Sequence, residues 1–148
     1  MKKKTLVGVL AIFMSLSMPV QAQEIPTKTI ELTYEEAQEL MQIAWCEAGN
    51  QGPAGQALVM SVVINRVQSP EWPDDIHSVI WEPHQFSTSR MSEAEINADT
   101  HMALAEIEMG NITPEIIAFE TTSSNYLDRY FTVAFSYRDH QFYTKKID

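Results

Sequence analysis

The fold is decided by Thr33-Tyr34-Glu35-Glu36-Ala37-Gln38-Glu39-Leu40-Met41-Gln42-Ile43-Ala44-Trp45-Cys46-Glu47 and the turn after it, Gly49-Asn50-Gln51-Gly52-Pro53. Thr33 followed by Glu36 matches a capping box, in which side chain and backbone satisfy each other's free donors at a helix start. Ala37, Leu40, Met41, Ala44 and Trp45 then recur at helical spacing. A helix is predicted from about Tyr34 to Cys46 or Glu47, stopped by the Gly-rich turn.

Downstream, Pro53 suits the first turn of a second helix. The predicted helix, Ala54 to Val67, is apolar nearly all round and therefore buried. Asp74 or Asp75 is placed to cap a short piece through Ile76, Val79 and Ile80. Ser92-Glu93-Ala94-Glu95 reads as a second capping box, opening a helix to about Met109 with Gly110-Asn111 as its stop. After Pro114 the period changes. Residues 115–122 read as a strand. Tyr130 to Tyr137 alternates Phe131, Val133 and Phe135 with smaller or polar residues, and His140 to Thr144 follows a turn at Arg138-Asp139. Helices first and a small antiparallel sheet last predict an α+β fold.

Upstream, Lys2, Lys3 and Lys4 precede an apolar run from Leu6 to Leu16 and a small-residue exit at Pro19-Val20-Gln21-Ala22. That is the grammar of a signal peptide over residues 1–22. The run is short for a membrane span, so a secreted, extracytoplasmic protein without a stable membrane anchor is expected. Residues 23–32 form a leader, mobile at least through Lys28, and 33–148 the domain. Cleavage removes three lysines from a chain whose net charge is already -10. So acidic a protein is not built to hold a polyanion, which argues against nucleic acid as a partner. With Cys46 the only cysteine, no intramolecular disulfide can form. His77, His84, His101 and His140 are scattered and form no HExxH or i, i+4 pair. Neither a metal nor another cofactor is expected.

Glu47 is the most informative residue. It lies three residues after Ala44, four after Ile43 and seven after Leu40, which places a carboxylate at the end of the core-facing stripe. Burial and the helix C-terminus both favour a protonated carboxyl, the form that can donate a proton to a glycosidic oxygen. The same position also suits a solvated Glu at a frayed helix end.

Around Glu47 run Trp45-Cys46-Glu47-Ala48, Gly52-Pro53-Ala54-Gly55-Gln56-Ala57 and Val62-Val63-Ile64-Asn65-Arg66-Val67. Further on come Trp72-Pro73, Ile76, Val79-Ile80, Gln85-Phe86-Ser87 and His140-Gln141-Phe142-Tyr143. In this order the series resembles the SleB-type cell-wall hydrolases, from about Ala44 to Tyr143. The resemblance implies a lysozyme-like α+β domain related to lytic transglycosylases. It implies peptidoglycan glycan strands as substrate, cleavage between N-acetylmuramic acid and N-acetylglucosamine, and Glu47 as the catalytic acid. A lytic transglycosylase can work with one carboxylate, because the muramic 6-hydroxyl attacks its own C1 and no water is activated.

Glu120 is the candidate second carboxylate; it faces opposite to Phe119 on its strand and is equally suited to be a surface Glu. Gln85, Phe86 and Ser87 are candidate sugar contacts, or a core plug with its loop tie. His140, Phe142 and Tyr143 are placed either to line the cleft or simply to close the sheet, and His140 and Tyr143 are carried as site candidates by the motif alone. Asn65 and Arg66, ending the second helix, are expected to bond nearby carbonyls. Two rival functions remain: an amidase or peptidase using Cys46 with His140, and a silent wall-binding or adaptor protein. Cys46 sits at a helix C-terminus, whereas a helix N-terminus would lower its pKa, and reads as a packing residue. The chain carries no evident wall-binding repeat, so an accessory wall protein is a possible partner.

Overall fold

The computed structural model describes residues 29–147. The signal-peptide expectation for residues 1–22, and the leader as far as 28, lie outside the described residues.

The first helix, α1 (Tyr34–Ala48), starts on the expected capping box. The Glu36 N–H donates to Thr33 Oγ1 at 3.2 Å and the Thr33 N–H to Glu36 Oε2 at 2.8 Å. Leu40, Met41, Ile43, Ala44 and Ala48 are buried along one face. A three-residue turn leads into α2 (Gly52–Val67), which begins two residues before the predicted start. Gly52 has φ +71°, a conformation that costs a side-chain-bearing residue energy and glycine little. Pro53 then occupies the first turn, where its missing N–H leaves no bond unmade. Val59, Met60, Val62, Val63 and Ile64 are buried, as an all-round apolar helix requires. Asp75 caps α3 (Ile76–Ile80), accepting from the Ser78 N–H at 2.7 Å.

The second predicted capping box does not form. Ser92 and Glu93 close a 3₁₀ turn (Thr88–Glu93), and the chain is extended at Ala94 and again at Asn97. The fourth helix, α4 (Ala98–Glu108), starts instead on Asn97, whose Oδ1 accepts from the Thr100 N–H at 3.2 Å. Packing explains the difference. Met91 is buried within the 3₁₀ turn, and Ile96 packs on the core ahead of the helix. Both apolar side chains are satisfied without helical backbone between them. Ahead of α1, Ile30 and Leu32 also pack on the core, and the Ile30 N–H donates to Glu108 O at 3.2 Å.

Three strands follow: β1 (Ala118–Thr121), β2 (Phe131–Tyr137) and β3 (His140–Lys145), antiparallel in the order β1-β3-β2. The α+β expectation is met. β1 is shorter than the predicted 115–122, because Glu115 turns the chain at φ +65°. The alternation in β2 does not mark a core face. Val133 and Phe135 remain 46% and 36% exposed, and the register shifts between them. An edge strand with a bulge keeps the period without burying it. The β2–β3 turn carries Arg138 at φ +49°.

The core has two parts. One joins the four helices; the other centres on Val62, Ile116 and Phe142, between α2 and the sheet. Phe86 and Phe119 pack against both. They mark the seam where the helical layer meets the sheet, and the candidate site opens along it.

Candidate active site

Glu47 reaches this seam because the α1–α2 turn is tied to the β2–β3 turn. Gln51, 2% exposed, donates from Nε2 to Asp139 Oδ2 at 3.1 Å. It accepts from the Asp139 N–H at 3.3 Å. The end of α1 is thereby held beside the start of β3, and Glu47 and His140 come to line one cleft of about 400 Å³.

The cleft brings together most of the residues singled out from sequence: Glu47, Gln85, Phe86, Ser87, Glu120 and His140. Glu47 is half-buried. One of its oxygens, Oε1, accepts a short 2.5 Å bond from the Ser87 N–H, so the polar loop after α3 grips the carboxylate through backbone. The Ser87 side chain is free to face the cleft. Gln85 accepts from Arg66 Nη1 at 3.2 Å and ties its loop to α2. Phe86 packs in the seam, 6.2 Å from Phe119 between ring centroids.

His140 is 7% exposed and lies against Phe119, 5.1 Å between ring centroids. Burial lowers its pKa, while the negative charges of Glu47 and Asp139 push it back up. The ring is therefore held neutral at neutral pH.

Glu120 sits on β1 with both oxygens engaged. Oε2 accepts from Ser124 Oγ at 2.5 Å; Oε1 accepts from the Tyr143 hydroxyl at 2.5 Å and from the Leu127 N–H at 3.2 Å. Burial raises its pKa, but bonds from Ser124, Tyr143 and the Leu127 backbone outweigh that, and the net shift is downward. It is an ionised, heavily bonded carboxylate.

Tyr143 does not reach the cleft surface. It is fully buried behind Glu120, and its hydroxyl also accepts from Gln141 Nε2 at 2.6 Å. Of the two expectations for it, the structure meets the sheet-closing one and not contact with sugar, and its hydroxyl bonds Glu120. The reason lies in β3, where burial takes Phe142 and Tyr143 together, so the strand's last motif residues close the core.

Three lining residues were missed: His84, Phe119 and Thr121. Thr121 pairs with His140 across β1 and β3, so strand register was the only signal for it. Phe119 entered only as the residue Glu120 faces away from; its ring lines the cleft and also packs on the core. His84, at φ +67°, is turned toward the cleft by backbone that no sequence pattern announced.

Cys46 is half-buried. Its thiol pKa is raised by burial and by the neighbouring Glu47, with Arg90 opposing. That suppresses the thiolate a nucleophile requires. Asn65 Nδ2 donates at 2.8 Å to the carbonyls of both Thr113 and Ile116, and Arg66 Nε donates at 2.6 Å to Ile117 O. These are the expected carbonyl bonds; they fasten α2 to the segment entering β1. Among the described residues, no group of three or more His, Cys, Asp or Glu side chains is placed to hold a metal ion.

A helical layer and a small antiparallel sheet thus meet at a cleft that holds two carboxylates, Glu47 and Glu120, and comparison with known proteins gives this architecture a family. The chain belongs to the Cell Wall Hydrolase family, which it matches over residues 50–143. Its fold is similar to the catalytic domain of the Bacillus cereus SleB protein, with 19% identity over 78% of this chain and 95% of that one and a TM-score of 0.63. It is similar to the catalytic domain of the germination-specific lytic transglycosylase SleB from Bacillus anthracis, with 18% identity over 76% and 97% of the two chains and a TM-score of 0.64. At these identities the likeness is one of fold. No curated protein matches the chain. Glu47 precedes the first matched residue by three positions, so its place in the site rests on geometry.

Proposed function

We propose that this protein cleaves the N-acetylmuramic acid–N-acetylglucosamine bond of peptidoglycan as a lytic transglycosylase, with Glu47 as acid and then base. The observation that carries the reading is the contrast between the two cleft carboxylates. Glu47 takes a single backbone bond, at Oε1, and lines the cleft. Glu120 has its lone pairs committed to three donors and a lowered pKa, which makes it a weak base and a poor nucleophile. One working carboxyl suits transglycosylation. Glu47 protonates the glycosidic oxygen, and its carboxylate then takes the proton of the muramic 6-hydroxyl as that oxygen attacks C1, giving a 1,6-anhydro end. No water is activated. The similar catalytic domain from Bacillus anthracis belongs to a germination-specific lytic transglycosylase, which supports this outcome. Residues 1–22, read as a signal peptide, would deliver the enzyme to an extracytoplasmic wall.

The test is digestion of purified peptidoglycan by the protein starting at Gln23 and by its Glu47→Gln variant, with products read by mass spectrometry. Anhydro-muropeptides that vanish in the variant are expected. Reducing muramic ends would instead mean hydrolysis. Cut stem peptides would point to Cys46, and no products at all to a wall-binding protein.

A further inference from the structure

Beside the cleft lies a second chamber of about 550 Å³ that shares its His84, Gln85, Phe119 and Glu120 wall. Its far side is formed by Arg66, Trp72, Tyr126 and Phe131. Arg66 is 5% exposed, with its guanidinium 4.1 Å from the Trp72 ring centroid and 5.0 Å from that of Phe86. Both rings lie within cation–π reach of the group. Nε bonds Ile117 O and Nη1 bonds Gln85 Oε1. A guanidinium carries five N–H donors, so among the described residues three of them have no protein partner. Burial lowers the Arg66 pKa to about 10, with Glu82 opposing, and it stays a cation at neutral pH.

The direct protein partners of Arg66 are one carbonyl and one amide oxygen, with the negative charge of Glu82 nearby but no carboxylate bonded to it. A guanidinium fork set against aromatic rings with donors left over is suited to take a carboxylate through two parallel bonds. The rest of the cleft is hostile to an anion. Glu47 and Glu120 are its other ionisable acids, and Arg66 is the one permanent cation among the residues lining the two cavities.

We infer that the Arg66 chamber is a carboxylate-binding subsite for an acidic substituent of the glycan strand lying in the Glu47 cleft. The inference rests on the proposed peptidoglycan substrate and adds to it a specificity-determining residue. Two chemical sources share this group: the carboxylates of a stem peptide, and the lactyl carboxylate of muramic acid that bears no peptide. Tyr126 and Phe131 would pack the apolar part of the substituent while Arg66 takes its charge.

The experiment measures binding to the Glu47→Gln protein by calorimetry, so that turnover does not consume the probes. Two pairs of glycan fragments are used: peptide-bearing strands with free or amidated carboxylates, and peptide-free strands with free or amidated lactyl groups. Amidation is expected to weaken binding in at least one pair by about tenfold or more, as for loss of a charge-assisted bond. The pair that responds names the source. In an Arg66→Gln variant shown to be folded by circular dichroism, the free acid and its amide should bind alike; a purely structural Arg66 would lower both and leave their ratio intact. Because amidation alters only the ligand, the test stands even if that variant does not fold. Equal binding within both pairs overturns the subsite and leaves the proposed cleavage standing. Failure to bind any fragment overturns both.

Discussion

The Tyr143 hydroxyl donates to Glu120 Oε1 at 2.5 Å and lies 2.9 Å from Asp128 Oδ1. A hydroxyl has one proton, so it serves one carboxylate at a time. Burial, and then the bond to Glu120, raise the pKa of the phenol, while Glu120 is shifted downward. The pair is a fixed strut from the core to the rim of the cleft. Tyr143→Phe should destabilise the fold by about 1–3 kcal/mol, since it strips partners from Glu120 and Gln141. Urea unfolding measures that loss. A carboxyl-detected titration should show the Glu120 pKa moving up toward its ordinary range. An unchanged Glu120 pKa would remove the strut from the account.

His140 makes stability depend on pH in a stated direction. Its folded pKa is lowered, chiefly by burial, so between the folded value and the unfolded value of about 6.5 the unfolded chain binds more protons. Stability is therefore full above about pH 6.5 and falls as the pH drops through that window, levelling off below the folded pKa. Glu120, lowered as well, adds a second loss below about pH 4, the ordinary glutamate range. In urea melts across pH, His140→Gln should flatten the upper limb and leave the lower one. Parallel curves for both proteins would show that another group governs the upper limb.

The start of α4 separates what sequence could and could not reveal. Both Ser92 and Asn97 are good cap residues three positions ahead of a plausible helix turn, and local pattern alone favoured Ser92 because Glu95 completed a box. Burial of Met91 and docking of Ile96 decided for Asn97. Asn97→Ala should cost about 1 kcal/mol, and Ser92→Ala should stay within about 0.5 kcal/mol. Thermal unfolding of the two variants checks the order; the reverse order would restore the longer helix.

Asn65 shows the same limit at the site's foundation. Its residue type at a helix end was enough to expect bonds to carbonyls. The partners, Thr113 and Ile116, are 48 and 51 residues away and belong to a segment with no periodic signal of its own. Glu47, Gln85, Phe86, Ser87 and His140 were legible because motif order preserves which residues converge. For Tyr143 cleft lining and sheet closure both stayed open, because order says nothing about which side of a strand meets the core. Asn65→Ala should lose about 2 kcal/mol, two carbonyls being left without their donor. The loss should appear mainly as destabilisation, with kcat on soluble glycan fragments changed by less than about twofold in the population that remains folded. A large drop in kcat with stability intact would place Asn65 in the chemistry.

The bond from the Ser87 N–H to Glu47 Oε1 offers the sharpest test of how the acid is aimed. It comes from backbone, so ordinary side-chain substitutions leave it in place and only removal of the proton deletes it. Ser87 has φ -80°, within the range proline adopts. Ser87→Pro therefore removes the donor at small backbone cost, and Glu47 is freed to turn about its side-chain torsions. Misplacement of a proton donor by about 1 Å costs on the order of 10²-fold in rate, so kcat should fall by about that factor while Km changes little. Ser87→Ala keeps the N–H and should lose far less. Equal losses in the two variants would assign the effect to the hydroxyl and its contact with sugar. No loss in either would mean that Glu47 is oriented by the substrate, with the loop after α3 contributing only shape.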